Sequence, residues 1–115
     1  MKTIEKKLPV PSDFVIPEGI ELQDALFFDI ETTGLSRDYH KVYLIGSLCI
    51  QDGKFLFCQW LAEKETEEGS VLSSFFSYAC RFTTLISFNG NRFDFPFLQS
   101  RMSHLGPVSY THLPK

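Results

Sequence analysis

Asp29 and Glu31 stand two residues apart at the end of an apolar run, Ala25-Leu26-Phe27-Phe28-Asp29-Ile30-Glu31. The run reads as a buried strand, and in a strand the side chains of residues i and i+2 point to the same face. The two carboxylates therefore converge on one spot. Like charges that close repel each other and lose hydration, an unfavourable arrangement unless a cation sits between them. Hard divalent ions such as Mg²⁺ take oxygen ligands of this kind. The chemistry on offer is metal-assisted, and the remaining elements must either support this pair or complete it.

Thr32-Thr33-Gly34 ends the strand, with Gly34 suited to a positive φ, and residues 36–40 form a polar loop. A second strand is expected over residues 41–50 and a third over 55–61. Asp52-Gly53 between them supplies the positive φ angles of a two-residue hairpin turn. The run Glu63, Glu65, Glu67 and Glu68 reads as the solvated start of a helix, with Thr66 as its N-cap. Leu72, Phe75, Phe76 and Ala79 recur at helical spacing and form its inner face. A fourth, short strand covers residues 83–88. After a turn, a second helix buries Phe95, Leu98, Met102 and Leu105, tolerates Pro96 in its first turn and stops at Gly106-Pro107. Trp60 and Tyr43 are placed on the exposed face of the sheet, and His40 and His104 on the surface.

A strand–helix–strand crossover of this length implies a parallel or mixed sheet. Asp94 lies at the start of the second helix, just after the fourth strand. If that strand runs parallel beside the first, both end on the same side, where ligands of open α/β sheets bind. Asp94 would then join Asp29 and Glu31, giving three carboxylates around one cation.

Size and composition fit one domain. The chain has 115 residues, 12 Phe and 15% aromatic residues, enough to pack a core. A net charge of −3 announces no broad basic face for nucleic acid, although a metal-loaded carboxylate site attracts phosphate locally. Cys49, Cys58 and Cys80 have no metal-type spacing and read as plain reduced thiols. Residues 1–22 contain Pro9, Pro11 and Pro17 and read as an extended leader, with Phe14, Val15 and Ile16 as its anchors on the sheet. No secretory signal and no run of transmembrane length is present, so the cytoplasm is the default location.

Two stretches carry a family resemblance. Phe28-Asp29-Ile30-Glu31-Thr32-Thr33-Gly34-Leu35 resembles the first exonuclease motif of the DnaQ-like, DEDD-type branch of the ribonuclease H-like superfamily. Ser87-Phe88-Asn89-Gly90-Asn91-Arg92-Phe93-Asp94-Phe95-Pro96-Phe97-Leu98 resembles the second, in a form also similar to the proofreading domains of family-B DNA polymerases. The motif spacing, with Leu44-Ile45-Gly46 between them, is most similar to the bacterial YprB-type ribonuclease H-like domain. The resemblance covers about residues 25–106. It implies an α/β fold with a ribonuclease H-like mixed sheet, three antiparallel strands followed by a parallel fourth. It further implies two-metal hydrolysis of phosphodiester bonds with Mg²⁺ or Mn²⁺ and a 3′–5′ exonuclease acting on a single-stranded end of DNA or RNA. Asp29 would bridge two ions, Glu31 would bind the one carrying the attacking water, and Asp94 the other. Thr32, Thr33 and Leu35 would lie under the terminal nucleotide, Asn89 would shape the turn, and Arg92 would contact phosphate.

The family pattern also requires a later acidic region with a general-base His or Tyr. Residues 95–115 contain no Asp or Glu, and neither His104 nor His112 is followed by one. The expectation is a partial domain over residues 23–106 that lacks the last strand and helix and cleaves little by itself. Residues 107–115 resemble translated library adaptor and are set aside as a non-native tail. Two other functions compete. One is a non-catalytic nucleic-acid-binding module on the same fold. The other is a phosphatase of the haloacid dehalogenase type, against which stand Glu31, where that family needs Asp, and the Asp52-Gly53 hairpin, where it needs a helix.

Overall fold

A computed structural model describes residues 1–15, 18–88 and 94–103 of the chain. The apolar run around Phe28 forms a strand, Ala25–Thr32, in which buried and less buried residues alternate. Its neighbour, Val42–Gln51, is antiparallel and is joined through the Asp52-Gly53 turn to a third antiparallel strand, Lys54–Leu61. Asp52 and Gly53 take φ angles of 53° and 75°, as a two-residue hairpin of this type requires.

The amino-terminal residues do more than lie on the domain. Lys2–Pro9 is itself a strand, paired antiparallel with Lys54–Leu61 over its whole length. In chain order the strands are therefore β1 (Lys2–Pro9), β2 (Ala25–Thr32), β3 (Val42–Gln51), β4 (Lys54–Leu61) and β5 (Thr84–Ser87), and the sheet order is β1-β4-β3-β2-β5. Four strands run antiparallel and β5 runs parallel to β2, one antiparallel strand more than the sequence suggests. Lysines on β1, with Pro9 at its end, suit an edge that must not recruit another strand. Phe14 anchors the following segment by meeting Phe55 edge-on at 5.1 Å, whereas Val15 is exposed and Ile16 lies outside the described residues.

Helix α1 (Glu68–Ala79) crosses over between β4 and β5, and α2 (Asp94–Ser103) follows β5. Val71, Leu72, Phe75, Phe76 and Ala79 of α1, with Phe97, Leu98 and Met102 of α2, close over Leu26, Phe28 and Ile30 of β2, Ile45 and Cys49 of β3, and Leu56, Cys58 and Trp60 of β4. Phe28 and Phe75, both fully buried, meet at 5.3 Å in the middle of this core. Truncating either aromatic ring to Ala would cost about 3–5 kcal/mol. Trp60 belongs to this covered face, against Phe75 and Tyr78, and not to the exposed one. Tyr43 is partly exposed. Directly opposed strand residues share a face, so the other face carries Phe27, Asp29 and Glu31 of β2, Gly46 and Leu48 of β3, and Phe57 of β4. No helix among the described residues is long and apolar enough to cross a membrane.

Candidate active site

The site is built on the carboxyl end of β2. Alternation sends Phe28 and Ile30 into the core and leaves Asp29 half-buried and Glu31 exposed on the opposite face. Their Cα atoms are separated by roughly two strand steps, about 6.7 Å, close enough for the side chains to lean toward one ion. Gly46 lies directly across from Asp29 on β3. Its backbone is not among those with positive φ, and a Cβ there would rest 3.6 Å from the Phe57 ring, an ordinary contact. The fold therefore does not demand glycine at this position, yet its absence of a side chain leaves the flank of Asp29 clear.

Between Glu31 and Thr32 the register with β3 shifts, and the chain turns away into a loop over residues 33–41. That loop is closed by its own polar groups. The Thr33 N–H donates to the Lys41 carbonyl at 2.9 Å and the Lys41 N–H to the Thr33 hydroxyl at 2.9 Å. The Thr32 hydroxyl donates to the Gly34 carbonyl at 2.7 Å. His40 is part of this structure, because its Nδ1 accepts from the Ser36 N–H at 3.0 Å and its ring lies over Gly34. A Cβ on Gly34 would fall 2.5 Å from that ring. Gly34 is thus needed for close approach, not for the positive φ expected of it, since the glycines with positive φ among the described residues are Gly19 and Gly53. Leu35 and Tyr39 project from the loop, each 86% exposed.

The parallel pairing of β2 with β5 brings the second motif to the same end of the sheet. Ala25 to Phe28 pair with Thr84 to Ser87, and the Phe88 N–H continues the ladder to the Phe28 carbonyl at 3.0 Å. Asp94 opens α2 and is fully buried, with its Oδ2 accepting from the Ser87 hydroxyl at 2.7 Å. Ser87 is the register partner of Phe28, so this bond lies on the helix-covered side, across the strand from Asp29. Among the described residues no three His, Cys, Asp or Glu side chains are gathered closely enough to hold a metal ion. The donor chemistry of Asp29 and Glu31 nevertheless suits one hydrated Mg²⁺ or Mn²⁺, which is commonly held by one or two carboxylates together with waters and substrate phosphate. Asn89 and Arg92 lie outside the described residues, as do His104, His112 and the tail 107–115.

Two residues that hold this end together are not solvated. Glu68, expected in the exposed acidic run, is 8% exposed and forms a two-pronged pair with Arg101 of α2, Oε1 to Nη2 at 2.6 Å and Oε2 to Nε at 2.9 Å. The same Oε2 accepts from the Val42 N–H at 2.8 Å, which ties both helices to the start of β3. The signal was present in the spacing: Glu68 is in phase with Val71, Leu72 and Phe75, and Arg101 with Phe97 and Leu98. Glu63 and Glu65 are exposed as expected. Thr66 does not cap α1; it sits in a short 3-10 turn, Glu65–Glu67, closed by the Glu67 carboxylate accepting from the Glu63 and Lys64 N–H groups. Glu67 also receives the amino-terminal ammonium of Met1, which holds its carboxyl below the usual range. A cleft of about 210 Å³ lies beyond the loop, lined by Thr33, Lys41, Lys64 and Glu65 among others, and none of the three candidate carboxylates lines it.

The comparisons agree with this architecture. A family model described as the RNase H superfamily matches residues 26–114. The uncharacterized protein YprB of Bacillus subtilis (strain 168) is 31% identical over 85 residues, which is 73% of this chain and 20% of that protein. The chain thus spans about a fifth of the length of the curated relative it matches. No solved structure matches it. With a mixed five-stranded sheet, a parallel β2–β5 seam and a family match over most of its length, the chain belongs to the RNase H superfamily.

Proposed function

We propose that this domain contributes the metal-binding part of a nuclease centre, a 3′–5′ exonuclease acting on a single-stranded end of DNA or RNA in the cytoplasm. The observation that carries the reading is that Asp29 and Glu31 share the face of β2 away from the helices, and that β2 runs parallel to β5, after which Asp94 begins α2. Divalent ions bound there supply a water of lowered pKa and neutralise charge on the phosphate. Asp29 would be the shared ligand in this reading, with Glu31 beside it on the same strand. Asp94, which accepts from the Ser87 hydroxyl, would serve as a further oxygen ligand. Thr32, Thr33 and Leu35 would place the terminal nucleotide, and Asn89 and Arg92, outside the described residues, are the further candidates for binding it.

Titration with Mn²⁺ tests the reading directly. The chain is expected to bind Mn²⁺, Asp29→Ala to abolish binding, and Glu31→Gln to weaken it at least tenfold. Mn²⁺ affinity that survives Asp29→Ala unchanged would reject the site. One observation favours a second reading, a nucleic-acid-binding module without cleavage: Asp94 is engaged by Ser87 and the three carboxylates do not form one cluster. Incubation of an end-labelled single strand with Mg²⁺ or Mn²⁺ separates the two. Stepwise shortening that is lost in Asp94→Asn supports the nuclease, and tight binding with no cleavage by the full-length protein supports the module.

A further inference from the structure

Phe88, the residue directly after β5, is an exposed aromatic side chain with 62% of its surface open. It is also firmly placed. Its N–H is fixed to the Phe28 carbonyl at 3.0 Å, and its ring stacks on Phe27 with centroids 5.8 Å apart and planes inclined by 26°. One face of the Phe88 ring is therefore taken by Phe27, and the other faces solvent. The β2–β5 ladder ends with Phe28 paired to Ser87, and the contact of Phe88 with Phe27 puts its ring on the face that also carries Asp29. On the other side of Asp29, Gly46 presents no side chain. The half-buried Asp29 thus shares its face with the stacked Phe27–Phe88 pair and with Gly46.

We infer that the outer face of Phe88 is a stacking platform for the nucleobase of the nucleotide whose phosphate lies at Asp29 and Glu31. This inference rests on the nuclease reading and names how its substrate is gripped. The spacing supports it. Two steps along β2 separate Phe27 from Asp29 by about 6.7 Å, comparable to the reach from a phosphate to its own base. An exposed aromatic ring costs free energy in water, and base stacking is the interaction that rewards one placed next to a phosphate site. Every base has a π-face, so the platform confers base dependence without sequence preference.

The test compares two fluorescein-labelled probes by anisotropy, with Ca²⁺ as the cation: an eight-nucleotide oligothymidylate and an abasic oligomer with the same phosphates. Phe88→Ala is expected to weaken oligothymidylate binding about tenfold and to leave the abasic probe unchanged. Phe88→Trp is expected to restore or tighten it. Because the ring is exposed, the melting temperature of Phe88→Ala should stay within about 2 °C of the parent. Equal affinity of the parent for the two probes, no binding of either, or unchanged oligothymidylate binding in Phe88→Ala would each overturn the inference. Asp29→Ala in the Mn²⁺ titration fails or succeeds separately, so loss of the metal reading remains distinguishable from loss of the platform.

Discussion

Gly46 shows how much a missing side chain can say. Glycine within a strand costs roughly 0.5–1 kcal/mol relative to alanine, and nothing around Gly46 requires it, since a Cβ would make only an ordinary contact with Phe57. Gly46 is the cross-strand partner of Asp29, so a larger side chain there would stand beside the carboxylate. Gly46→Ala is therefore expected to match or exceed the parent in urea stability. Gly46→Leu should fold but bind Mn²⁺ at least tenfold more weakly, because its side chain would overhang the carboxylate. Full Mn²⁺ affinity in the leucine variant would show that the clearance has no bearing on the site. That Asp29 and Glu31 share one face of a strand was legible from spacing alone, since period-two alternation is a local property of a strand. His40 was not. Its role depends on the ring lying over Gly34 and on Nδ1 meeting the Ser36 amide, and neither leaves a sequence signature.

At the scale of elements, the Glu68–Arg101 pair fixes the helix that carries Asp94. Removing one partner of a buried ion pair strands the other charge in low dielectric, which costs about 3–5 kcal/mol, whereas replacing both with apolar residues costs much less. Arg101→Ala should lower the urea midpoint accordingly. The double change Glu68→Leu with Arg101→Met should be more stable than Arg101→Ala alone. A double variant no better than the single one would mean that packing, not charge, dominates there. Arg101→Lys should also be costly, because an ammonium cannot reproduce two parallel hydrogen bonds to one carboxylate. The β3–β4 hairpin was legible because Asp52-Gly53 fixes its turn locally. The face of Trp60 was not, because a one-residue difference in register turns a strand side chain from one face to the other.

For the whole molecule, the parallel β2–β5 seam followed from the length of the crossover, but β1 escaped notice. Its alternation of Lys, Ile, Lys and Leu is that of a half-charged edge, and its partner, β4, lies far along the chain, where no local pattern can announce it. The stability of the assembled sheet should fall at alkaline pH. Burial pushes the Cys58 thiol above its ordinary value of 9.0. Burial, together with the contact on Cys49 at 3.2 Å, pushes the Tyr78 hydroxyl well above its ordinary 10.0. Below those ordinary values both groups are protonated whether the chain is folded or not, and they add no pH dependence. As pH rises through 9 and 10 the unfolded chain releases these protons while the folded chain retains them, so stability is progressively lost. Urea midpoints measured from pH 8 to 11 should decline, and Tyr78→Phe should flatten the decline. A flat profile in the parent would contradict this account.

The seam between β2 and β5 has one further effect, on the order of events as the chain matures. Asp29 and Asp94 come to the same end of the sheet only once a long helical detour has been closed by four residue pairs, whereas the hairpin beside them needs no such detour. Newly made chains should pass through a stage that already has a hairpin but no competent centre, and metal affinity should return late in refolding, after most of the backbone has found its place.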